Sequence, residues 1–207
     1  AVAAVRGVAA DPSGDIVVAG TFGGTVDFGG GPLVSAGSGD IFVAKYAADG
    51  THISSRGFGG AVGQWASAVA VDPAGDVFVT GRFQGMVDFG GGTLAATFNA
   101  DSFLLKLSSA SGAHRWSQRL APGTLTSYTD IAVAVDPSGS CVVAGGFTGT
   151  ATLAGTPLIS AGGPDVFVLG VSGSGTQMWS RRYGGSGDDR PNAVAIDSSG
   201  AVILTGG

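Results

Sequence analysis

Four copies of one phrase constrain this chain more than any other feature. Val8-Ala9-Ala10-Asp11-Pro12-Ser13-Gly14-Asp15-Ile16-Val17-Val18-Ala19-Gly20 returns as Val69-Ala70-Val71-Asp72-Pro73-Ala74-Gly75-Asp76-Val77-Phe78-Val79-Thr80-Gly81, again from Val133 to Gly145, and again from Val194 to Gly206. The marker aspartates Asp11, Asp72, Asp136 and Asp197 stand 61, 64 and 61 residues apart. The second copy accounts for the longer step, with one extra residue between Asp101 and Gly112 and two between Ala121 and Asp136. A fixed period of this size marks a repeat architecture, in which each copy buries its apolar faces only against its neighbours. The 207 residues therefore read as about 3.4 units of 61, near 1–61, 62–125, 126–186 and a partial 187–207.

Each unit reads as four strands, A to D. Strand A is Ala68 to Val71 and its equivalents. An Asp-Pro-Ser/Ala-Gly turn follows, where Pro presets φ and Gly accepts the left-handed φ that closes a hairpin. Strand B is the run Ile16-Val17-Val18 or Val77-Phe78-Val79. Strand C is Ile41 to Ala44, Phe103 to Leu105 and Val166 to Leu169, and strand D is His52 to Phe58, His114 to Leu120 and Gln177 to Tyr183. Between B and C an excursion of constant length, Gly24 to Leu33, Gly85 to Leu94 and Gly149 to Leu158, reads as a short two-stranded flap, folded over triple glycine in the first two copies. Composition agrees. With 39 Gly, 15 acidic residues that are all Asp, and only two Lys, the chain is rich in turn formers and poor in helix formers. A helical bundle, a coiled coil and collagen are excluded, and 44% hydrophobic content at 12% charge argues against disorder.

Strands A, B and C are apolar at consecutive positions, so burial on both faces is expected. Strand D mixes Trp116, Ser117, Gln118 and Arg119, or Trp179, Ser180, Arg181 and Arg182, the composition of a guarded edge. The fold class expected is all-β: a β-propeller arc of four-stranded antiparallel blades, A innermost and D outermost. There are three full blades and two strands of a fourth. A closed ring needs about four to eight blades, so the chain reads as a fragment of a larger propeller, with an unsatisfied blade face at each end. Its first and last residues also suggest a window cut from a longer protein.

Three phrases carry a family resemblance. Gly184-Gly185-Ser186-Gly187-Asp188-Asp189, then Ala193-Val194-Ala195-Ile196-Asp197-Ser198-Ser199-Gly200, and the strand C phrase Asp40-Ile41-Phe42-Val43-Ala44-Lys45-Tyr46 closely resemble the bacterial β-propeller repeats called SBBP. The resemblance covers essentially the whole chain. It implies a secreted or cell-surface bacterial protein, large and often multidomain, with no shared catalytic residues. The second copy departs from it, with Ala121-Pro122-Gly123-Thr124 in place of the glycine-rich phrase, and the first keeps only Gly59-Gly60.

Candidate sites are few. A net charge of −5 offers no basic patch, so nucleic acid is not an expected partner. No run of apolar residues is long enough for a membrane-spanning helix. His52 and His114 fall on one repeat position, which Gln177 takes in the third copy, and read as turn-proximal surface residues rather than catalytic ones. Cys141, at a strand B position held elsewhere by Ile16, Val77 and Val202, reads as a small core hydrophobe. Asp15 and Asp76, with Asp27 and Asp88, read as turn caps, and Asp40, Asp101 and Asp165 as hydrogen-bond acceptors for the flap. Asp188 and Asp189 resemble the opening of a calcium-binding nonapeptide, but Pro191 stands where an apolar residue should follow. The phrase therefore reads as a turn, with calcium a weak alternative and no other cofactor or metal expected. The connections from D to the next A differ most between copies. They place Trp65, Tyr128 and Arg190, residue types favoured at binding hot spots, on loops. Trp65 and Tyr128 could equally pack between blades. The function expected is a non-enzymatic scaffold, adhesion or recognition module for a protein or carbohydrate ligand, with further blades of the same longer chain as neighbours. The alternatives are a structural spacer, or part of a hydrolase or lyase whose active-site residues lie in other blades.

Overall fold

The computed structural model describes residues 1–97, 99–120 and 131–207. The chain divides into two compact units, Ala1–Arg119 and Leu120–Gly207. The described residues form strands and turns, with no helix among them.

The first unit holds two four-stranded antiparallel sheets. One runs β1 (Val2–Ala10), β2 (Ile16–Gly23), β5 (Asp40–Tyr46), β6 (His52–Phe58), with β3 (Thr25–Asp27) and β4 (Pro32–Val34) paired as a flap between β2 and β5. The next runs β7 (Gln64–Val71), β8 (Val77–Phe83), β11 (Asp101–Leu107), β12 (His114–Leu120), with β9 (Met86–Asp88) and β10 (Thr93–Ala95) as its flap. The second unit repeats the order with β13 (Ala132–Val135), β14 (Cys141–Phe147), β17 (Asp165–Val171) and β18 (Gln177–Tyr183), and with a flap of β15 (Thr150–Leu153) and β16 (Thr156–Ile159). It ends in the hairpin β19 (Pro191–Ile196) and β20 (Val202–Gly206). Strand order in each sheet is chain order, and strand D has the bounds expected from sequence. Strand A has the expected bounds in β13, but in β1, β7 and β19 it begins earlier than its apolar stretch. In the second copy backbone pairing continues back to the polar Gln64, past a bulge at Ser67 that recurs between Val5 and Gly7 and between Pro191 and Ala193.

The A–B turn shows why its phrase recurs. The Asp11 N–H donates to the Asp15 carbonyl (2.8 Å), and its own carbonyl accepts from the Gly14 N–H (2.9 Å). Its Oδ1 also accepts the N–H groups of Ser13 and Asp15 at 2.8 and 3.0 Å. Gly14 sits at φ 87°, a left-handed value that an L side chain takes only at a cost. Asp72, Asp136 and Asp197 repeat this pattern.

Sheets pack face to face in one register. In the first unit Val17, Ala19, Ile41 and Val43 of the first sheet share a core with Val79, Phe83, Phe103 and Leu105 of the second. The second flap is part of that core: Phe89 lies 4.7 Å from Phe103 and 5.7 Å from Phe58, ring to ring. In the second unit Val142, Ala144, Val166 and Val168 pack on Val194, Ile196 and Leu204. Full burial of a Phe or Leu side chain contributes roughly 1.5–3 kcal/mol, so these faces dominate the stability of each unit.

One burial expectation fails. Strands B and C of the second and third sheets are buried on both faces, but strand A is not. Val2, Val5 and Val8 of β1 are 74%, 63% and 66% exposed. Strand A is a sheet edge, hydrogen-bonded on one side only, and the first sheet packs against its neighbour in the unit through one face.

Candidate functional site

The D–A connections are built on a shared frame. In the first copy Gln64 is fully buried, and its Oε1 accepts the Gly60 N–H at 2.9 Å. In the third, Asp189 Oδ2 accepts the Gly185 N–H at 2.8 Å, and the Asp189 N–H donates to the Pro164 carbonyl at 2.7 Å. Each acceptor stands four residues beyond the glycine it caps. The residue after each cap is Trp65 or Arg190, so two of the candidate recognition residues occupy one repeat position. Tyr128 lies outside the described residues.

Trp65 is half-buried. Its ring covers Gly63, and the Arg82 guanidinium lies 5.9 Å from its centroid. With Ala4, Arg6, Phe22 and Ser38 it lines an open groove at one end of the first unit's sheets. An indole bordering an open groove can offer its exposed part to a sugar or a peptide side chain. Arg190 exchanges backbone hydrogen bonds with Gly207 at 3.0 and 3.1 Å, and extends its side chain toward Asp188 (3.4 Å). It borders a groove with Tyr183, Asp189 and Leu204.

Asp188 and Asp189 behave as a turn. Asp188 is mostly exposed and faces Arg190, while Asp189 caps its loop. A neutral Gln64 does the same work in the first copy, so the position does not require charge. Among the described residues no group of three or more His, Cys, Asp or Glu is placed to hold a metal ion.

Asp40, Asp101 and Asp165 open strand C in three copies. They are buried, and Oδ2 of each accepts the N–H of the residue four before it: Ala36 (2.7 Å), Thr97 (2.8 Å) and Ala161 (2.9 Å). This fixes the segment leaving the flap, as expected from sequence. Asp101 also pairs with Arg119 at 2.9 Å, and Asp165 with Arg182. Gly57 occupies the Arg position in the first copy, so Asp40 lacks that guanidinium. Burial pushes its carboxyl above the ordinary value, against the pull of the Ala36 and Gly37 N–H groups.

Two clusters were not anticipated. Lys45 Nζ lies 2.8 Å from Asp11 Oδ2 and 3.2 Å from Asp15 Oδ2; Lys106 lies 2.9 Å from Asp72 and 3.5 Å from Asp76, which also takes Arg115 at 2.8 Å. Asp15 and Asp76 are thus ion-pair partners of strand C rather than caps of their own turn; the cap is Asp11 or Asp72. In the third copy all of this changes together. Ser140 replaces the Asp and Gly170 the Lys, the Trp179 indole lies over Gly170, and the Ser138 hydroxyl donates to Asp136. Asp27 and Asp88 do cap their flaps, accepting from Gly29 and Gly31, and from Gly90 and Gly92.

The second cluster corrects the surface reading of the histidines. His52 and His114 are half-buried under the flap tips. A methyl on Gly30 would stand 2.4 Å from the His52 ring, and one on Gly91 2.0 Å from the His114 ring. The triple glycine therefore makes room for an imidazole. Tyr46 packs edge-on against His52 and donates its hydroxyl to the Phe28 carbonyl at 2.8 Å. The third copy turns its flap on Ala154-Gly155 instead, and Gln177 Oε1 accepts the Ala154 N–H at 2.7 Å. Cys141 is buried in strand B.

No family model matches the chain, and no curated protein matches it. Among solved structures it is similar to a protein of unknown function from Bacteroides caccae, with 12% identity, a TM-score of 0.51, and coverage of 98% of this chain and 53% of that one. The likeness is one of fold, and this chain spans about half the length of that protein.

Proposed function

We propose that the chain is a run of β-propeller repeats of the SBBP type, from a secreted or cell-surface bacterial protein. Its role is that of a non-enzymatic scaffold, which recognises a protein or carbohydrate through the D–A connections. The observation that carries this reading is a constant frame around a changing residue. Gln64 and Asp189 hold their loops by the same hydrogen bond, yet the next residue is Trp65 in one copy and Arg190 in the other. A rigid scaffold with variable loop residues is the usual form of a recognition surface. The described His, Lys and strand C Asp residues meanwhile hold flaps and turns within their own repeats, which supports a scaffold over a catalyst. Sheets stacked in one register, each folding from A to D, support the propeller arrangement.

The test is a glycan array and a protein pull-down with the chain, repeated with Trp65→Ala, Tyr128→Ala and Arg190→Ala. Loss of a captured ligand in at least one variant is expected. A ligand held equally by all three would remove the loops from the reading, and silence in both screens would leave a spacer.

A further inference from the structure

Asp40, Asp101 and Asp165 hold one place in three repeats, and only the last two hold a cation there. In each, Oδ2 accepts the backbone N–H four residues back, and Oδ1 is buried without a partner among the described residues. The copies therefore differ in what else reaches Oδ2. Arg119 Nη1 donates to Asp101 Oδ2 at 2.9 Å and to the Thr97 hydroxyl at 2.7 Å. Arg182 Nη1 donates to Asp165 Oδ2 and, at 3.2 Å, to the Gly184 carbonyl. In the first copy Gly57 and Gly59 stand where the third has Arg182 and Gly184. The backbone acceptor position is kept and the guanidinium is gone.

The place the guanidinium takes is reached from solvent. The side chains of Arg119 and Arg182 are 33% and 32% exposed, although the carboxylates beneath them are fully buried. Asp40 is 3% exposed, whereas Asp101 and Asp165 are 0% exposed. A carboxylate taken this far out of water without a cation is costly, and burial holds its carboxyl above the ordinary value. The partners named for all three carboxylates lie in their own repeats, so the difference does not depend on what adjoins the first sheet. Gly39, beside Asp40, accepts the Gln64 N–H at 2.8 Å, which sets Asp40 at the foot of the D–A connection that carries Trp65.

We propose that Asp40 is a receptor for an external guanidinium, the arginine side chain of a protein partner, seated where Arg119 and Arg182 lie in the other copies. A guanidinium fits better than an ammonium, because its planar fork of N–H groups can serve Oδ2 and the Gly59 carbonyl together, as Arg182 serves Asp165 and Gly184. The net charge of −5 favours a basic partner. The choice of a protein as the source of the arginine rests on the recognition reading above.

The test is NMR of isotope-labelled Asp carboxyl groups in the 207-residue chain, titrated at neutral pH with N-acetylarginine amide. N-acetyllysine amide and sodium chloride at matched ionic strength are the controls, and Asp40→Asn assigns the signal. The Asp40 signal is expected to shift saturably with the arginine derivative and further than with either control, while those of Asp101 and Asp165 stay in place. Gly57→Arg, which supplies the cation from within the repeat, is expected to abolish the response. An Asp40 signal that stays, or that moves no further than that of the exposed Asp49, overturns the proposal. So does a Gly57→Arg variant that responds like the parent. A protein captured in the pull-down is expected to be lost with Asp40→Asn, and capture unchanged by that substitution overturns the protein source. The titration needs no captured ligand, so its outcome is independent of the recognition reading.

Discussion

Asp40, Asp101 and Asp165 make the same backbone hydrogen bond but differ in their cation. That difference sets the sign of a charge removal. Asp40 has no guanidinium, and burial raises its carboxyl above the ordinary 3.8. The folded chain then holds the proton more tightly than the unfolded one, so stability falls as pH rises from 3.8 through the raised value. Asp40→Asn removes this loss and keeps an acceptor for Ala36; at pH 7 it is expected to be neutral or stabilising by up to about 1 kcal/mol. Asp101→Asn breaks the pair with Arg119 and is expected to cost about 1–3 kcal/mol. Urea midpoints for the two variants decide the matter, and equal midpoints would deny the Arg its role. The hydrogen-bonding Asp was legible in the sequence because it recurs at one register position. The Arg was not, because it joins from strand D, 18 residues away in the second copy. The lysine clusters carried a readable signal: the two lysines fall in the two copies that keep Asp at the position of Asp15 and Asp76.

At the scale of the element, turns and flaps depend on glycine for two separable reasons. Gly75 is at φ 82° and a methyl on it would stand 3.0 Å from Ser109 Cβ, whereas Gly200, at φ 86°, faces open space. Gly200→Ala is expected to cost only the left-handed backbone, about 1–2 kcal/mol, and Gly75→Ala more; thermal melts that reverse this order would contradict the contact. The flap glycine acts by volume. Gly91→Ala is expected to destabilise by about 1–3 kcal/mol through overpacking against His114. His114→Ala should recover much of that loss in the double variant, a coupling measured by a double-mutant cycle. Strand D was bounded correctly from sequence because hairpin glycines and polarity mark both its ends. Strand A was read short in β1, β7 and β19, though not in β13, because its first residues there have no apolar pattern to announce them. The histidine under the flap was misread because its partner is three glycines, which offer no side chain to suggest a contact.

The whole molecule titrates through one kind of carboxyl, since all 15 acids are Asp. Burial works to raise Asp11 and Asp136, but it is outweighed by Lys45 at the first and by Ser138 and backbone N–H groups at the second, so both sit below the ordinary value. Asp197 is lowered by the Ser199 hydroxyl and Asp49 by Thr51. Groups lowered in the folded state stabilise above the unfolded value of 3.8, and that contribution is lost as pH falls below it through the folded values. Thermal midpoints are expected to drop below about pH 4, where these groups lose their contribution, while Asp40 alone works in the opposite sense and gives a small rise as pH falls from neutral toward 3.8. A drop beginning near pH 6 would assign acid sensitivity elsewhere. The one register in which sheets pack has a genetic consequence. A recombination that deletes or duplicates one 61-residue period joins two sheet faces that already fit each other. Copy number can therefore drift in the gene without a compensating substitution, and divergence is tolerated most in the loops that neither face uses.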